Sequence, residues 1–413
     1  MSTTAPHPAP TQAPDPLEPT RAVVLPGIRP ESAQVTELRE RVRRVLASST
    51  SHAALTQHDE DEVYDAGLYQ ALAQEGLIRL ETVPGGRGPS HVSQTTVLEE
   101  LGAGATSVAV SIVVQYMGVE LLHRYGNEEQ QRAYLEPLLA GQARMSFCLS
   151  EPGGGTDVAR AMRTTATRLP GGGYRLDGAK KWIGGASTAD FLIVLARTSD
   201  EHRAAIDGIT MFVVPRSTPG ISSTPIDTMG IRALEQADLV FDDVRIGEDA
   251  VLGEPERGFR HVLATLNGER LNGAAVALGI ARGALSHAVG HAGSRQAFGR
   301  DIGAFQALQH ALVDASLRVE SAGLLLANAA EQSDAATGGA NETLSALAKL
   351  AASEAATTVT DTGMRVMGGW GFLRQGAMQR YFRDARLYTF APLTDEMIRN
   401  AIGEKHLGLP RSY

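Results

Sequence analysis

The residues best suited to chemistry gather in two short stretches. Phe147 to Asp157 reads Phe-Cys-Leu-Ser-Glu-Pro-Gly-Gly-Gly-Thr-Asp, and Lys180 to Gly185 reads Lys-Lys-Trp-Ile-Gly-Gly. Consecutive glycines at 153–155 leave the main chain bare, so its N–H groups can approach a ligand closely. Ser150 and Thr156 add short hydroxyls, and Trp182 supplies a flat apolar wall. Such a set suits a planar heterocycle with polar edges. The same glycines also fit a surface turn, and composition alone leaves both readings standing. Cys148 reads as a small buried filler. His287 and His291 would share a helical face, but no third ligand accompanies them, so no metal site is expected. A phosphate-binding Gly-x-x-x-x-Gly-Lys-Ser/Thr loop does not occur.

The elements that must position these residues change character along the chain. With 413 residues and 43.7 kDa, the chain can bury a large core in two or three subdomains. Residues 1–30 are rich in Ala-Pro and poor in apolar side chains, the composition of a disordered tail. From 31 to 145 the apolar positions recur at helical spacing, as in Val35, Leu38, Val42 and Leu46. Segments at 95–102 and 107–125 read as two further helices, the second apolar on several faces. Between 146 and 256 the period shortens. Strands are expected at 161–169, 174–181, 191–196, 208–214, 221–225 and 238–244, separated by Gly-containing turns. From 257 to 413 the helical period returns, with long helices expected from Gly258, at 305–330 and at 343–367. A net charge of −9 without a basic stripe argues against nucleic acid. One cysteine excludes an intrachain disulfide and fits a reducing compartment. No run approaches the ~18 apolar residues of a membrane span, and the N-terminus lacks a secretory pattern. A cytoplasmic enzyme is the expectation.

Four stretches, in order and spacing, resemble signatures of the acyl-CoA dehydrogenase family. Phe147–Asp157 resembles its flavin loop, and Asp177-Gly-Ala-Lys-Lys-Trp-Ile183 its second flavin strand. Arg295-Gln-Ala-Phe-Gly299, followed by Phe305-Gln306, resembles its Arg-x-x-Phe-Gly stretch. Met367-Gly-Gly-Trp-Gly-Phe372 with Arg383-Asp-Ala-Arg386 resembles its last signature. The resemblance implies an α+β, mostly α fold: an N-terminal helical domain, a central antiparallel β-domain and a C-terminal four-helix-bundle domain. It implies FAD held noncovalently against Phe147, Leu149, Ser150, Gly155, Thr156, Trp182, Ile183 and Gly184. Arg295 and Phe298 would reach the pyrophosphate and adenine side from a neighbouring subunit, with Gln306, Gly368, Gly369, Thr394 and Glu396 completing the cofactor set. A shared site implies a homo-oligomer, a tetramer or a dimer. The implied partners are an acyl-CoA or acyl-carrier-protein substrate and an electron-transfer flavoprotein.

The family's reaction removes a proton α to a thioester carbonyl while a hydride leaves the β-carbon. A carboxylate serves as base once desolvation raises its pKa. Most members carry that glutamate shortly after the Arg-Asp-Ala signature, where this chain has Pro392. Isovaleryl-type and long-chain-type members carry it in Leu-x-x-Glu-Arg-Leu, which matches Leu266 to Leu271 here. Glu269 is therefore the expected base, with Arg270 organising the site; Asp395 and Glu396 are weaker candidates. Pro392 has no N–H for the thioester oxygen, so Leu393 would substitute as donor, with Thr156 also near the substrate. Gly184 stands where the family commonly has a threonine or serine facing the flavin. These departures keep two other readings open: a flavin oxidase or monooxygenase on the same scaffold, and a non-catalytic protein that retains the fold.

Overall fold

A computed structural model describes residues 27–82, 89–201, 204–336 and 340–412. Most of the expected 1–30 tail lies outside the described residues. Five helices come first: α1 (Ala33–Ser49), α2 (His52–Asp61), α3 (Ala66–Gln74), α4 (His91–Gly102) and α5 (Thr106–Tyr125). Short helical turns at 128–139 lead into the sheet, which contains β1 (Met145–Cys148), β2 (Thr165–Arg168), β3 (Tyr174–Gly184), β4 (Phe191–Arg197), β5 (Ile209–Pro215), β6 (Ile221–Ile226) and β7 (Gln236–Ile246). The chain closes with α6 (Gly258–Ser294), α7 (Gln306–Ala335), α8 (Glu342–Met367), α9 (Ala377–Asp384) and α10 (Asp395–Lys405).

Local chemistry sets several helix starts. Ser32, Ser51, Asp65, Ser90, Asn341 and Thr394 each accept the main-chain N–H three residues on. Each such cap is worth about 1 kcal/mol. Residues 271–281 of α6 are all buried, as in a helix surrounded by others. Small side chains let α4 and α6 touch backbone to backbone. A Cβ on Gly102 would stand 2.5 Å from Val276 O, and one on Gly279 would overlap Glu99 O. α5 is long and apolar enough to cross a membrane by length and composition, yet most of it is buried against α4, α6 and β1.

The β-sheet covers the other side of α5. β4 is buried on both faces: Phe191, Ile193 and Leu195 pack toward the helices, and Leu192, Val194 and Ala196 toward the outer sheet core. This period of two inside one apolar run marks a central strand. β3, β7, β6 and β5 pair antiparallel with their neighbours, as expected. β1 and β2 depart from that pattern, because both run parallel to β4 along one edge. The loop that joins them must leave the sheet after Cys148 and return at Thr165. The strand expected at 161–169 accordingly begins at Thr165, after a helical turn at Val158–Ala161. The cause is Glu151, whose carboxylate accepts the N–H groups of Arg163 at 2.6 Å and Thr164 at 3.0 Å.

Candidate active site

Buried electrostatics pin the Gly-rich loop against β3. Lys180 is fully buried; its Nζ donates to Glu151 Oε1 at 2.8 Å and to Leu149 O at 3.1 Å. Burial lowers the Lys180 pKa against the pull of Glu151. Burial also opposes ionisation of Glu151, but Lys180 outweighs it and the carboxyl stays below its ordinary value. Lys181 N–H donates to Ser150 O, and Ser146 Oγ donates to Gly184 O at 2.7 Å. Gly153 and Gly155 stay open outside this staple, where a Cβ would meet nothing within 4 Å, whereas one on Gly154 would clash with Ala161; Thr156 is exposed.

Trp182 is aimed by a β-bulge. Between Lys180↔Leu239 and Ile183↔Ala237, two residues of β3 oppose one of β7. Trp182 takes φ of 64°, a costly value for a bulky residue, and its side chain is 56% exposed beside the loop strand. Lys181 lies 4.7 Å from the ring centroid and is anchored by Asp238. Ile183 next to it turns into the sheet core, so it offers a ligand only main chain. At Gly184 a Cβ would come within 3.3 Å of Gln236 Nε2, so the Gln236 amide lines the space that a threonine would enter. Cys148 is buried as expected, and burial pushes its thiol up to about 12.

Glu269 sits near the start of α6. Its side chain keeps some solvent contact, yet burial pushes its pKa up to about 7, against the pull of Arg270 and with help from the Glu120 carboxylate. One helical turn on, a Cβ at Gly273 would stand 3.2 Å from Pro392 Cδ and 3.8 Å from Tyr388 Cε1. Residues four apart share a helical face. Glu269 and Pro392, the two positions weighed for the base, therefore border the same space. Arg270 donates to Asn267 Oδ1 at 2.8 Å and lies 3.8 Å from Glu342. Asp395 is excluded as a base: its carboxylate is consumed by Lys349 Nζ at 2.7 Å and Ser353 Oγ at 2.8 Å. Glu396 is exposed in the first turn of α10, and the Thr394 hydroxyl caps that helix.

Lys349 is a residue that motif reading missed. Fully buried on α8, it donates to Tyr388 O at 2.6 Å and Leu393 O at 3.0 Å as well as to Asp395. It thereby shapes the loop that carries Pro392. Leu393 N–H has no acceptor among the described residues. The signal was a lone lysine inside Ser-Ala-Leu-Ala-Lys-Leu-Ala-Ala. Glu120, a single acid in an apolar stretch of α5, was missed in the same way.

The remaining expected residues form a separate corner. Arg295, Gly368 and Gly369 line a cleft of about 580 Å³ with His291, Trp370 and Leu373. His291 and His287 are both buried, and burial takes His287 down to about 3, with His52 and Arg380 adding to the shift. Phe298 tips a short hairpin with φ of 53° and is 95% exposed; Gln306, at the start of α7, is exposed too. No residue of 147–156 or 182–184 lines that cleft. The chain thus presents two half-sites: an open, Trp-flanked loop on the sheet, and an arginine-bearing cleft on the helical bundle. Both fit a long cofactor with a flat ring at one end and phosphates at the other.

Comparison with known proteins agrees with this geometry. Residues 32–142, 146–244 and 256–407 match the N-terminal, middle and C-terminal domains of acyl-CoA dehydrogenase, respectively. The chain belongs to the acyl-CoA dehydrogenase family. The short-chain specific acyl-CoA dehydrogenase of Bos taurus mitochondria is 35% identical over 379 residues, covering 89% of this chain and 90% of the bovine protein. A glutaryl-CoA dehydrogenase from Mycobacterium smegmatis in complex with FADH2 superposes with a TM-score of 0.84 at 27% identity, covering 93% of this chain and 96% of that one. The prolyl acyl carrier protein oxidase AnaB superposes with a TM-score of 0.83 at 26% identity, covering 92% of this chain and 100% of that one. The protein is an acyl-CoA dehydrogenase-type flavoprotein oxidoreductase acting on CH–CH groups, in a family that uses FAD.

Proposed function

We propose that the protein α,β-dehydrogenates an acyl thioester, with Glu269 as the base that takes the α-proton. The observation that carries this reading is the Glu269 carboxyl with its pKa near 7, on the helix face that also meets Pro392. At neutral pH such a group is partly ionised and still strongly basic, the compromise general-base catalysis favours. Arg270 holds a positive charge beside it, and Leu393 N–H stands as donor for the thioester oxygen in place of the N–H that Pro392 lacks. FAD, when bound, supplies the hydride acceptor. Phe147, Leu149, Ser150, Gly155, Thr156, Trp182, Ile183 main chain and Gly184 would hold its ring end, with Thr394 and Glu396 alongside. Arg295, Phe298, Gln306, Gly368 and Gly369 would hold the phosphates and adenine of a second subunit's cofactor. The exposure of Phe298 and the separation of the two half-sites support this sharing, and with it a homo-oligomer, tetramer or dimer. The working boundaries are 31–145, 146–256 and 257–413.

The acyl carrier is coenzyme A or a carrier protein, and the electrons pass to an electron-transfer flavoprotein. An oxidase reading is favoured by one observation: the Gln236 amide at Gly184, where the family's hydroxyl would otherwise face the flavin. Rapid reoxidation of product-bound reduced enzyme by air would select it over the dehydrogenase. The base assignment is tested with Glu269→Gln. The variant is expected to retain FAD absorbance and to resist anaerobic bleaching by every thioester that bleaches the wild type. Bleaching at the wild-type rate removes Glu269 from that role.

A further inference from the structure

Gly184 of β3 and Gln236 of β7 are register partners, as are Ile183 and Ala237 beside them. Ile183 and Ala237 are buried in the outer sheet core, and side chains alternate between faces along a strand. Gln236 therefore projects from the opposite face, past the bare Cα of Gly184, where a Cβ would stand 3.3 Å from Nε2 and 3.7 Å from Oε1. Phe147 likewise packs away from that core. Gly184 and Gln236 are both half-buried, next to the exposed Trp182. The short side chains around them have already placed their hydroxyl protons. Ser146 Oγ donates to Gly184 O at 2.7 Å, Thr188 Oγ1 to Gly185 O at 3.2 Å, and the Ser187 hydroxyl to Glu235. A carboxamide carries two N–H groups and an acceptor oxygen. Gln236 gives one N–H to Leu234 O at a long 3.3 Å, and no second hydrogen bond engages its side chain among the described residues. The main chain fixes its root, since Gly185 N–H donates to Glu235 O at 2.8 Å.

We propose that the Gln236 carboxamide is the side-chain hydrogen-bond donor to the polar edge of the flavin ring, standing in for the hydroxyl that Gly184 does not supply. This rests on the reading that FAD lies with its ring end against Gly184. Glycine and glutamine then act together across the two strands. A side chain at 184 would crowd the amide, and its absence lets the longer side chain of β7 reach over β3. A hydrogen bond strengthens when its acceptor becomes charged. A donor at the ring edge therefore holds the electron-rich, reduced cofactor more firmly than the oxidised one and raises its reduction potential. Gln236 is thus a residue that positions and tunes the cofactor, and it takes no proton from the substrate.

The test measures the FAD dissociation constant and the two-electron midpoint potential of the FAD-loaded protein, with no thioester present. Gln236→Ala should weaken FAD by about three- to tenfold, the range of one lost hydrogen bond. It should also disfavour reduction by up to about tenfold, a fall of about 30 mV for two electrons. Gln236→Glu keeps the length, removes the donor and adds a negative charge, and should lower the potential further. Gly184→Thr introduced together with Gln236→Ala meets no amide 3.3 Å away and supplies a hydroxyl. Both quantities should then return to within about twofold of wild type, the signature of two coupled positions. A role confined to folding would lower FAD affinity without moving the potential and without rescue by threonine. That outcome overturns the proposal, as does a Gln236→Ala variant that matches wild type in both measurements, and either one leaves the FAD reading intact. A wild type that takes up no FAD overturns both.

Discussion

Replacing Glu269 by glutamine should stabilise the protein at alkaline pH while abolishing its chemistry. The carboxyl rises from 4.5 to about 7 in the folded state, equivalent to roughly 3 kcal/mol against the ionised form. Its remaining solvent contact screens part of that, so the figure is an upper bound. The sign follows from proton binding. Between pH 4.5 and 7 the folded state holds more protons at this site than the unfolded chain, so stability falls as pH rises and the loss is complete above 7. Glutamine, a neutral isostere, carries no such penalty. Thermal melts of wild type and variant, both FAD-loaded, should nearly coincide at pH 5 and separate at pH 8, with the variant higher. The same titration should appear in turnover, where log kcat/KM climbs with pH to a plateau near 7 as Glu269 ionises. Arg270→Leu removes the opposing cation and should move that limb upward. A variant destabilised equally at both pH values would refute the strained-base picture, as would an activity limb near 4.5.

Two further outcomes probe the loop that faces the base. Leu393→Pro deletes the free N–H and should lower kcat by about 10²–10³, the usual cost of one oxyanion donor, with FAD content unchanged; a loss below tenfold would move the donor elsewhere. Lys349→Met leaves Asp395 as an unpaired buried carboxylate and strands the carbonyls of Tyr388 and Leu393. Breaking such a pair costs about 3–5 kcal/mol, visible as a lowered melting temperature that Lys349→Met/Asp395→Asn should partly restore; equal melting of single and double variants would deny the pairing.

Under the proposed role of Glu269, one substitution would both stabilise the protein and remove the base, the pattern of a catalytic group kept at the expense of stability. The Arg-Asp-Ala-Arg signature acts through side-chain contacts between domains. Arg383 pairs with Asp59, and Asp384 accepts Ile231 N–H at 2.7 Å, tying the last sheet loop to α9.

Local order was legible in the residues themselves. Apolar spacing placed α1, α5, α6 and α8, because a helix face repeats every 3.6 residues wherever it is buried. Motif order indicated the family and the three-part architecture. The presence of Leu-x-x-Glu-Arg-Leu with Pro392 at the other position named Glu269 as the candidate base. Other features needed the third dimension. The parallel edge of β1 and β2, which throws the Gly-rich loop off the sheet, depends on a partner strand more than 25 residues away in sequence. The bulge that exposes Trp182 depends on the register of β3 against β7. Lys349, Glu120 and His91 each looked unremarkable as single polar residues in helices. Only packing brought Lys349 under the Pro392 loop and set Glu120 and His91 around Gly268, because burial and charge act through distances that sequence spacing does not encode.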